Sequence, residues 1–139
     1  MEYVLHRYLF HLEPNGNSPV MITIHFFFHG QHHKVPFDKD RLVFPPVAAG
    51  VFALMFWRVF NFILPGGIGA SLCCGGMLGY IGYDLIHYYM HHGTPAKGSF
   101  MHDLKHYHVL HHFHDHNTGF GISTRFWDYP FNTVNKKLL

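Results

Sequence analysis

Two apolar runs stand almost end to end in the middle of this chain. Residues 42–64, LVFPPVAAGVFALMFWRVFNFIL, number 23 with Arg58 as their one charge, and residues 66–86, GGIGASLCCGGMLGYIGYDLI, number 21 with Asp84 as theirs. A bilayer core about 30 Å thick takes roughly 20 apolar residues of helix, so each run is long enough to span. Between them Pro65, Gly66 and Gly67 stop one helix and allow a tight turn. The expected unit is a transmembrane helical hairpin with spans at about 42–64 and 66–86. Arg58 lies about 9 Å of helix from the turn and can extend to that interface. Gly75 and Gly79, with Gly82 one turn later, give a small-residue face for close helix packing. Cys73 and Cys74 are adjacent, cannot readily bridge each other, and imply no disulfide framework.

Charge orients the hairpin. Arg7, Lys34, Lys39, Arg41, Lys97 and Lys105 all flank the side opposite the turn, which has no basic residue. The positive-inside rule then places that side and both chain ends in the cytosol. The opening residues, MEYVLHRYLFHLEP, lack the pattern of a cleavable signal. Sixteen histidines, against ten Lys and Arg, all lie outside the two runs, with His87 just past the second. The expected fold class is an all-α integral membrane protein: a transmembrane helical hairpin bearing a cytosolic, histidine-rich helical cap. A net charge of +2, with no basic run interleaved with aromatics, excludes nucleic acid as a partner.

Histidine spacing separates metal ligands from bystanders. His29, His32 and His33 repeat the pattern H-x-x-H-H of His108, His111 and His112, and offsets of three and four return to one helical face. His87 and His91 stand four apart and do likewise. His6 and His11 are five apart, roughly 140° around an ideal helix, and converge only if the helix ends or bends between them. These clusters hold ten histidines, enough for two metals with about five nitrogens each. His25, His92, His102, His106, His114 and His116 fall off the spacing or duplicate it and read as interface residues. Among them His92 and His106, together with Asp84, are candidates to orient a ligand through a hydrogen bond.

The donor set narrows the chemistry. Imidazole accepts zinc, iron, copper and nickel, but a structural zinc site closes at four ligands. Soluble di-iron bundles rely on carboxylates with a Glu-x-x-His motif; the only glutamates here, Glu2 and Glu13, start none. No CxxC pair, P-loop or G-x-S-x-G elbow is present. A metal transporter would line its spans with ionisable ligands, and no histidine falls between Leu42 and Ile86. The expectation is a dimetal membrane enzyme with oxidative chemistry, which needs iron or another redox metal because zinc cannot change oxidation state. Ligation requires neutral imidazoles, so metal binding is expected to weaken as pH falls through roughly 6.5.

In order along the chain, LHRYLFH, HFFFHGQHHKVPFD, LVFPP, GYIGYDLIHYYMHHG, LKHYHVLHHF and GFGISTRFWDYPFNT resemble the fatty acid 2-hydroxylase family, within the fatty acid hydroxylase and sterol desaturase superfamily. The resemblance makes residues 1–134 the hydroxylase domain and 135–139 a tail. It implies a multi-pass protein of the endoplasmic reticulum membrane that hydroxylates C2 of long and very long acyl chains for sphingolipid (ceramide) synthesis. It also implies O2 and electrons from cytochrome b5. By position, one metal would be held by His6, His11, His29, His33 and His111, and the other by His32, His87, His91, His108 and His112. Iron is expected for catalysis, and zinc can occupy such a site. Phe26, Phe27, Phe28, Tyr88, Tyr89 and Trp127 are candidates to line an acyl channel, or to form an interfacial aromatic belt.

Two departures go with the resemblance. Family members carry another hairpin before the first histidine cluster, so this chain is expected to lack the N-terminal part. The cytochrome b5 signature H-P-G-G is absent, and LPGG at residues 64–67 only mimics it in a membrane turn, so a b5-type donor is expected as a separate protein or in sequence outside this chain. The alternatives are a sterol-type oxidase or desaturase of the same superfamily, and an inactive fragment that retains the metal sites.

Overall fold

The structure, a computed structural model, describes residues 1–135 and 137. Of the expected tail 135–139, Lys136, Leu138 and Leu139 lie outside the described residues. Helices and irregular segments make up the fold, with no strand among the described residues.

Helix α4 (Pro46–Ile63) and helix α5 (Ile68–His92) pack against each other across a four-residue turn. Proline suits the first turn of α4 because the amide it lacks would have no partner there. The helix stops at extended Leu64, as a residue before proline favours. Gly66 (φ 63°) and Gly67 (φ 81°) then take the left-handed conformation that reverses the chain. The close approach of the two helices falls beside this turn. A Cβ on Gly69 would lie 2.6 Å from the Phe60 carbonyl carbon. The small-residue face of Gly75, Gly79 and Gly82 is not part of that contact and faces open space. The turn, not the glycine stripe, fixes which side of α5 meets α4.

One described stretch, Lys39–Ile63, is long and apolar enough to cross a membrane. Its side chains are largely bare, with Val47 83% and Phe62 90% exposed. The second expected span falls in α5, which is 25 residues long but diluted by glycine and polar residues. Arg58 is exposed on α4.

The end of α5 carries the chain into the histidine region. Gly93 closes the helix, and the Lys105 ammonium donates to its carbonyl at 2.8 Å, placing a cation at the helix's negative end. Lys105 comes from α6 (Phe100–Phe113), whose N-cap Ser99 accepts from the His102 amide at 3.2 Å. Two short N-terminal segments complete the region. Helix α1 (Glu2–Leu5) widens into a π-helical turn, His6–Phe10. Helix α2 (Pro19–His25), capped by Ser18, widens likewise over Phe26–Gly30 and continues as α3 (Gln31–Lys34).

After α6 the chain folds back through irregular segments and a short 3₁₀ turn, Phe126–Asp128. The Gly119 amide donates to the Thr133 carbonyl at 2.7 Å, and the Tyr3 and Thr133 hydroxyls meet at 2.8 Å. The interior is unusual. Among the described residues, seven histidines are buried alongside the apolar Tyr3, Leu42, Met90, Leu104, Tyr107, Phe120 and Ile122. Imidazole fills space that hydrocarbon fills in an ordinary core.

Candidate metal centre

Each helical segment aims its histidines by its own pitch. On α5, His87 and His91 lie one turn apart with ring centroids 4.9 Å apart. On α6, His108 and His112 do the same at 4.5 Å. His6 and His11 need another device, and the π-helical turn supplies it. The His11 amide donates to the His6 carbonyl at 3.0 Å, an i→i+5 bond that brings the two rings to 4.8 Å. The five-residue spacing is thus met by a widened turn within the helix. The second widened turn lies just before His32 and His33 and contains His29, whose ring is 4.7 Å from that of His33.

Two groups of five result: His6, His11, His29, His33 and His111, and His32, His87, His91, His108 and His112. Within each, one nitrogen per residue lies within 4.8 Å of all the others. In the first, His29 Nε2 is 3.2 Å from His6 Nε2 and 3.1 Å from His33 Nε2, while His111 and His11 Nε2 are 3.1 Å apart. In the second, His108 Nε2 is 3.0 Å from His87, 2.8 Å from His91 and 3.0 Å from His112. His32 completes this group with its ring 4.7 Å from that of His87. The groups adjoin, since the His33 and His112 rings are 4.2 Å apart.

These contacts are not hydrogen bonds in the ordinary sense. A neutral imidazole has one N–H and one lone pair, so His108 Nε2 cannot satisfy three such nitrogens at once. His6 Nδ1 and His111 Nδ1 each face a carbonyl, of Phe120 and of Thr118, at 2.7 Å. Both rings therefore carry the proton on Nδ1 and turn a bare Nε2 lone pair inward. Buried lone pairs facing one another repel unless a cation lies among them. Nitrogens about 2.1 Å from a common metal and at right angles to each other would stand roughly 3.0 Å apart. Each group fits one metal ion.

The fatty acid hydroxylase family model matches residues 1–133. The chain belongs to the fatty acid hydroxylase family. It is 52% identical to fatty acid 2-hydroxylase of Mus musculus, covering 96% of this chain and 36% of that protein. Identity is 42% to the ceramide very long chain fatty acid hydroxylase scs7 of Schizosaccharomyces pombe, over 96% and 38% of the two chains. It is 43% to the dihydroceramide fatty acyl 2-hydroxylase FAH1 of Arabidopsis thaliana, over 96% and 55%. The chain thus spans about a third to a half of the length of these relatives. A solved structure of full-length scs7p, with only its hydroxylase domain visible, matches with a TM-score of 0.88 at 38% identity, over 96% of this chain and 50% of that one.

In this fatty acid hydroxylase chain, burial keeps the imidazoles neutral. Desolvation pushes His6 down to about 3 from the ordinary 6.5, against the Phe120 carbonyl, which favours its protonated form. Desolvation and neighbouring histidines take His32 to about 2 and His33 to about 3. His91 falls to about 4, with Lys105 adding to the effect, and His111 to about 3. His11, His29, His87, His108 and His112 shift the same way for the same first cause. The folded groups are therefore ready for a cation well below pH 6.5. Protons compete for them at lower pH than ordinary imidazole predicts.

The remaining candidate residues are spread out. Asp84 is half-buried one turn before His87, with the Tyr80 hydroxyl beside its carboxyl. His92 is exposed and lies against Tyr88 at 4.7 Å, and His106 is exposed on α6. Phe26, Phe27, Tyr88, Tyr89 and Trp127 are exposed, while Phe28 turns inward to Phe44 at 5.1 Å. Phe44 stacks on Phe10 at 5.3 Å, and Phe10 on His29 at 5.1 Å. An aromatic path so links the foot of α4 to the first group, through two residues that spacing did not single out. Of the histidines read as bystanders, His25 and His102 are half-buried and His114 and His116 exposed.

Sequence reasoning also missed what orients the ligands. The carbonyls of Thr118 and Phe120 lie in GFGISTRFWDYPFNT, and backbone acceptors leave no mark in side-chain patterns. Two acids hold that segment, Glu2 and Asp128. The one available signal was their rarity, since Asp and Glu number eight in the chain.

Proposed function

We propose that this chain is the metal-binding hydroxylase domain, residues 1–134, of a fatty acid 2-hydroxylase acting at C2 of long or very long acyl chains for ceramide synthesis. The observation that carries this reading is the pair of adjoining five-histidine groups at the foot of an apolar helix. The relatives' names supply the substrate class. The ten histidines hold two metal ions in the division given above. Iron serves catalysis, and zinc can fill the same sites. When bound, a redox metal pair supplies the activation of O2 that oxygen insertion into a C–H bond requires.

The protein's own part is to hold and exclude. His6 and His111 keep their protons on Nδ1 and offer Nε2, held so by the Phe120 and Thr118 carbonyls. Burial of both groups keeps water from competing for the ligands. The hairpin, with spans at about 42–64 and 66–86, anchors the domain in the endoplasmic reticulum membrane as a multi-pass protein. The histidine groups and both termini face the cytosol, and a separate cytochrome b5-type protein delivers electrons. The bilayer presents the acyl chain along the exposed aromatic side chains, with Phe44 and Phe10 leading toward His29.

Expression in cells lacking 2-hydroxylation, followed by mass spectrometry of ceramides, tests the assignment. This chain is compared with a form extended by a relative's preceding residues. The extended form is expected to make 2-hydroxyacyl ceramide, and to stop when His32 and His112 are replaced by alanine. No such product from the extended form, or an oxidised sterol in its place, overturns the assignment.

A further inference from the structure

One fully buried acid, Asp128 at 0% exposure, has no place in the ligand sets. Its Oδ1 accepts from the Phe120 amide at 2.9 Å and the Thr133 hydroxyl at 2.7 Å. Its Oδ2 accepts from the Gly121 amide at 2.9 Å. The Gly121 N–H and the Phe120 C=O belong to one peptide group, and that carbonyl accepts from His6 Nδ1 at 2.7 Å. A continuous line therefore runs from carboxylate through one peptide unit and one imidazole to the lone pair of His6 Nε2. The approach is close, because a Cβ on Gly121 would come within 2.8 Å of Asp128 Oδ2.

Glu2 braces the next turn of the same segment. Its Oε1 accepts from the Ile122 amide at 2.6 Å and the Ser123 amide at 2.8 Å, and the Ser123 hydroxyl donates to Oε2. Glu2 stands on α1, four residues before His6. Four successive amides, 120–123, are thus fixed by two carboxylates.

We propose that Asp128 is a positioning residue for the metal of the His6 group, acting across the Phe120–Gly121 peptide as a bound carboxylate acts directly on a metal-ligating histidine. This rests on the dimetal reading above. A carboxylate on the N–H side of a peptide polarises its C=O. The carbonyl then holds the His6 proton on Nδ1, fixes the ring and strengthens Nε2 as a donor. The second group has no member bonded to this segment, so the effect is confined to one of the two metals.

The test uses the full chain purified in detergent and loaded with Co2+, whose visible absorption reports the ligand field. Metal per chain and its release to a chelator are followed in wild type, Asp128→Asn, Thr133→Val, His6→Ala and His87→Ala. Asparagine keeps the shape but sets an NH2 or a weakened acceptor against the two amides. Thr133→Val removes a neighbour in the same buried network and leaves the Gly121 bond in place. Wild type is expected to hold two Co2+. Asp128→Asn should release one of them roughly 10 to 100-fold faster, leaving the spectrum of His6→Ala and not that of His87→Ala. Thr133→Val should release both at the wild-type rate.

Wild-type release from Asp128→Asn overturns the proposal, as does equal acceleration of both metals, which would make Asp128 a brace for the whole domain. If Asp128→Asn does not fold, Asp128→Glu decides, because its longer side chain keeps the charge but displaces it from the Gly121 amide: faster loss of the His6-group metal alone supports the relay, and unchanged loss overturns it. A wild-type protein that never holds two Co2+ refutes the dimetal reading, and the relay with it.

Discussion

His108 is the most crowded histidine of the two groups, with its Nε2 within 3.0 Å of three others. Replacing it by alanine removes the nitrogen to which those three are nearest. Metal analysis of His108→Ala is expected to give one ion per chain where wild type gives two, and two ions would separate His108 from ligation. Neutrality is the other property set at this scale. For the metal-free protein, the folded values of His6, His33 and His111 near 3 lie below the 6.5 of an unfolded imidazole. Between those values the unfolded chain binds more protons than the folded one. Stability therefore rises with pH across that window and is lost as pH falls from 6.5 toward 3. The slope approaches about 1.4 kcal/mol per pH unit for each histidine that stays neutral while folded. Thermal unfolding of metal-free protein is expected at a clearly lower temperature at pH 5.5 than at pH 7.5. A flat profile would contradict the burial of the groups.

The π-helical turn His6–Phe10 depends on its residue count. Deleting Leu9 would leave the pair four apart on an ordinary helix and still on one face, whereas inserting an alanine after Leu9 makes the spacing six, about 120° out of line. The insertion is expected to lose the metal of the first group and retain that of the second, read as cobalt content and spectrum, and the deletion to retain both. The helix pair gives a matched contrast. Gly69→Ala drives a methyl into the Phe60 backbone and should cost about 1 to 3 kcal/mol. Gly75→Ala faces open space and should be neutral or stabilise by up to about 1 kcal/mol, through helix propensity. Unfolding midpoints in detergent would check both. These elements show what a sequence displays and what it withholds. Offsets of three and four display which histidines share a helix face, and they brought eight of the ten histidines of the two groups forward without strain. The His6 and His11 pair looked awkward because pitch was assumed, and pitch is settled by packing. The glycine stripe did not reveal which face of α5 meets α4, since rotation of α5 about its axis is set by the turn. Glu2 and Asp128 act on residues 120 and 7 positions away in sequence, contacts that no local pattern encodes.

At the scale of the whole molecule, the interior is held by groups that repel each other when bare. Hydrocarbon cores gain from burial alone, whereas a histidine core needs its cation. Removing metal is therefore expected to lower cooperative unfolding stability far more than loss of one ligand does, because metal-binding free energy here is also folding free energy. Circular dichroism before and after chelation, with metal added back, measures this. Retained thermal stability without metal would show that the helices suffice. The contacts between the first and last parts of the described chain carry a consequence for biosynthesis. Tyr3 meets Thr133, and Glu2 meets Ser123. Synthesis runs from the N-terminus at about 5 to 20 residues per second. Residues 2–11 therefore emerge before α4, α5 and α6 and wait while those helices are made. Only when residues 118–133 have left the ribosome can the Phe120 carbonyl take the His6 proton. The second group needs no residue beyond His112. Its parts are complete while the clasp is still being made, so a growing chain finishes the second group before the carbonyls that orient His6 and His111 have been joined to it.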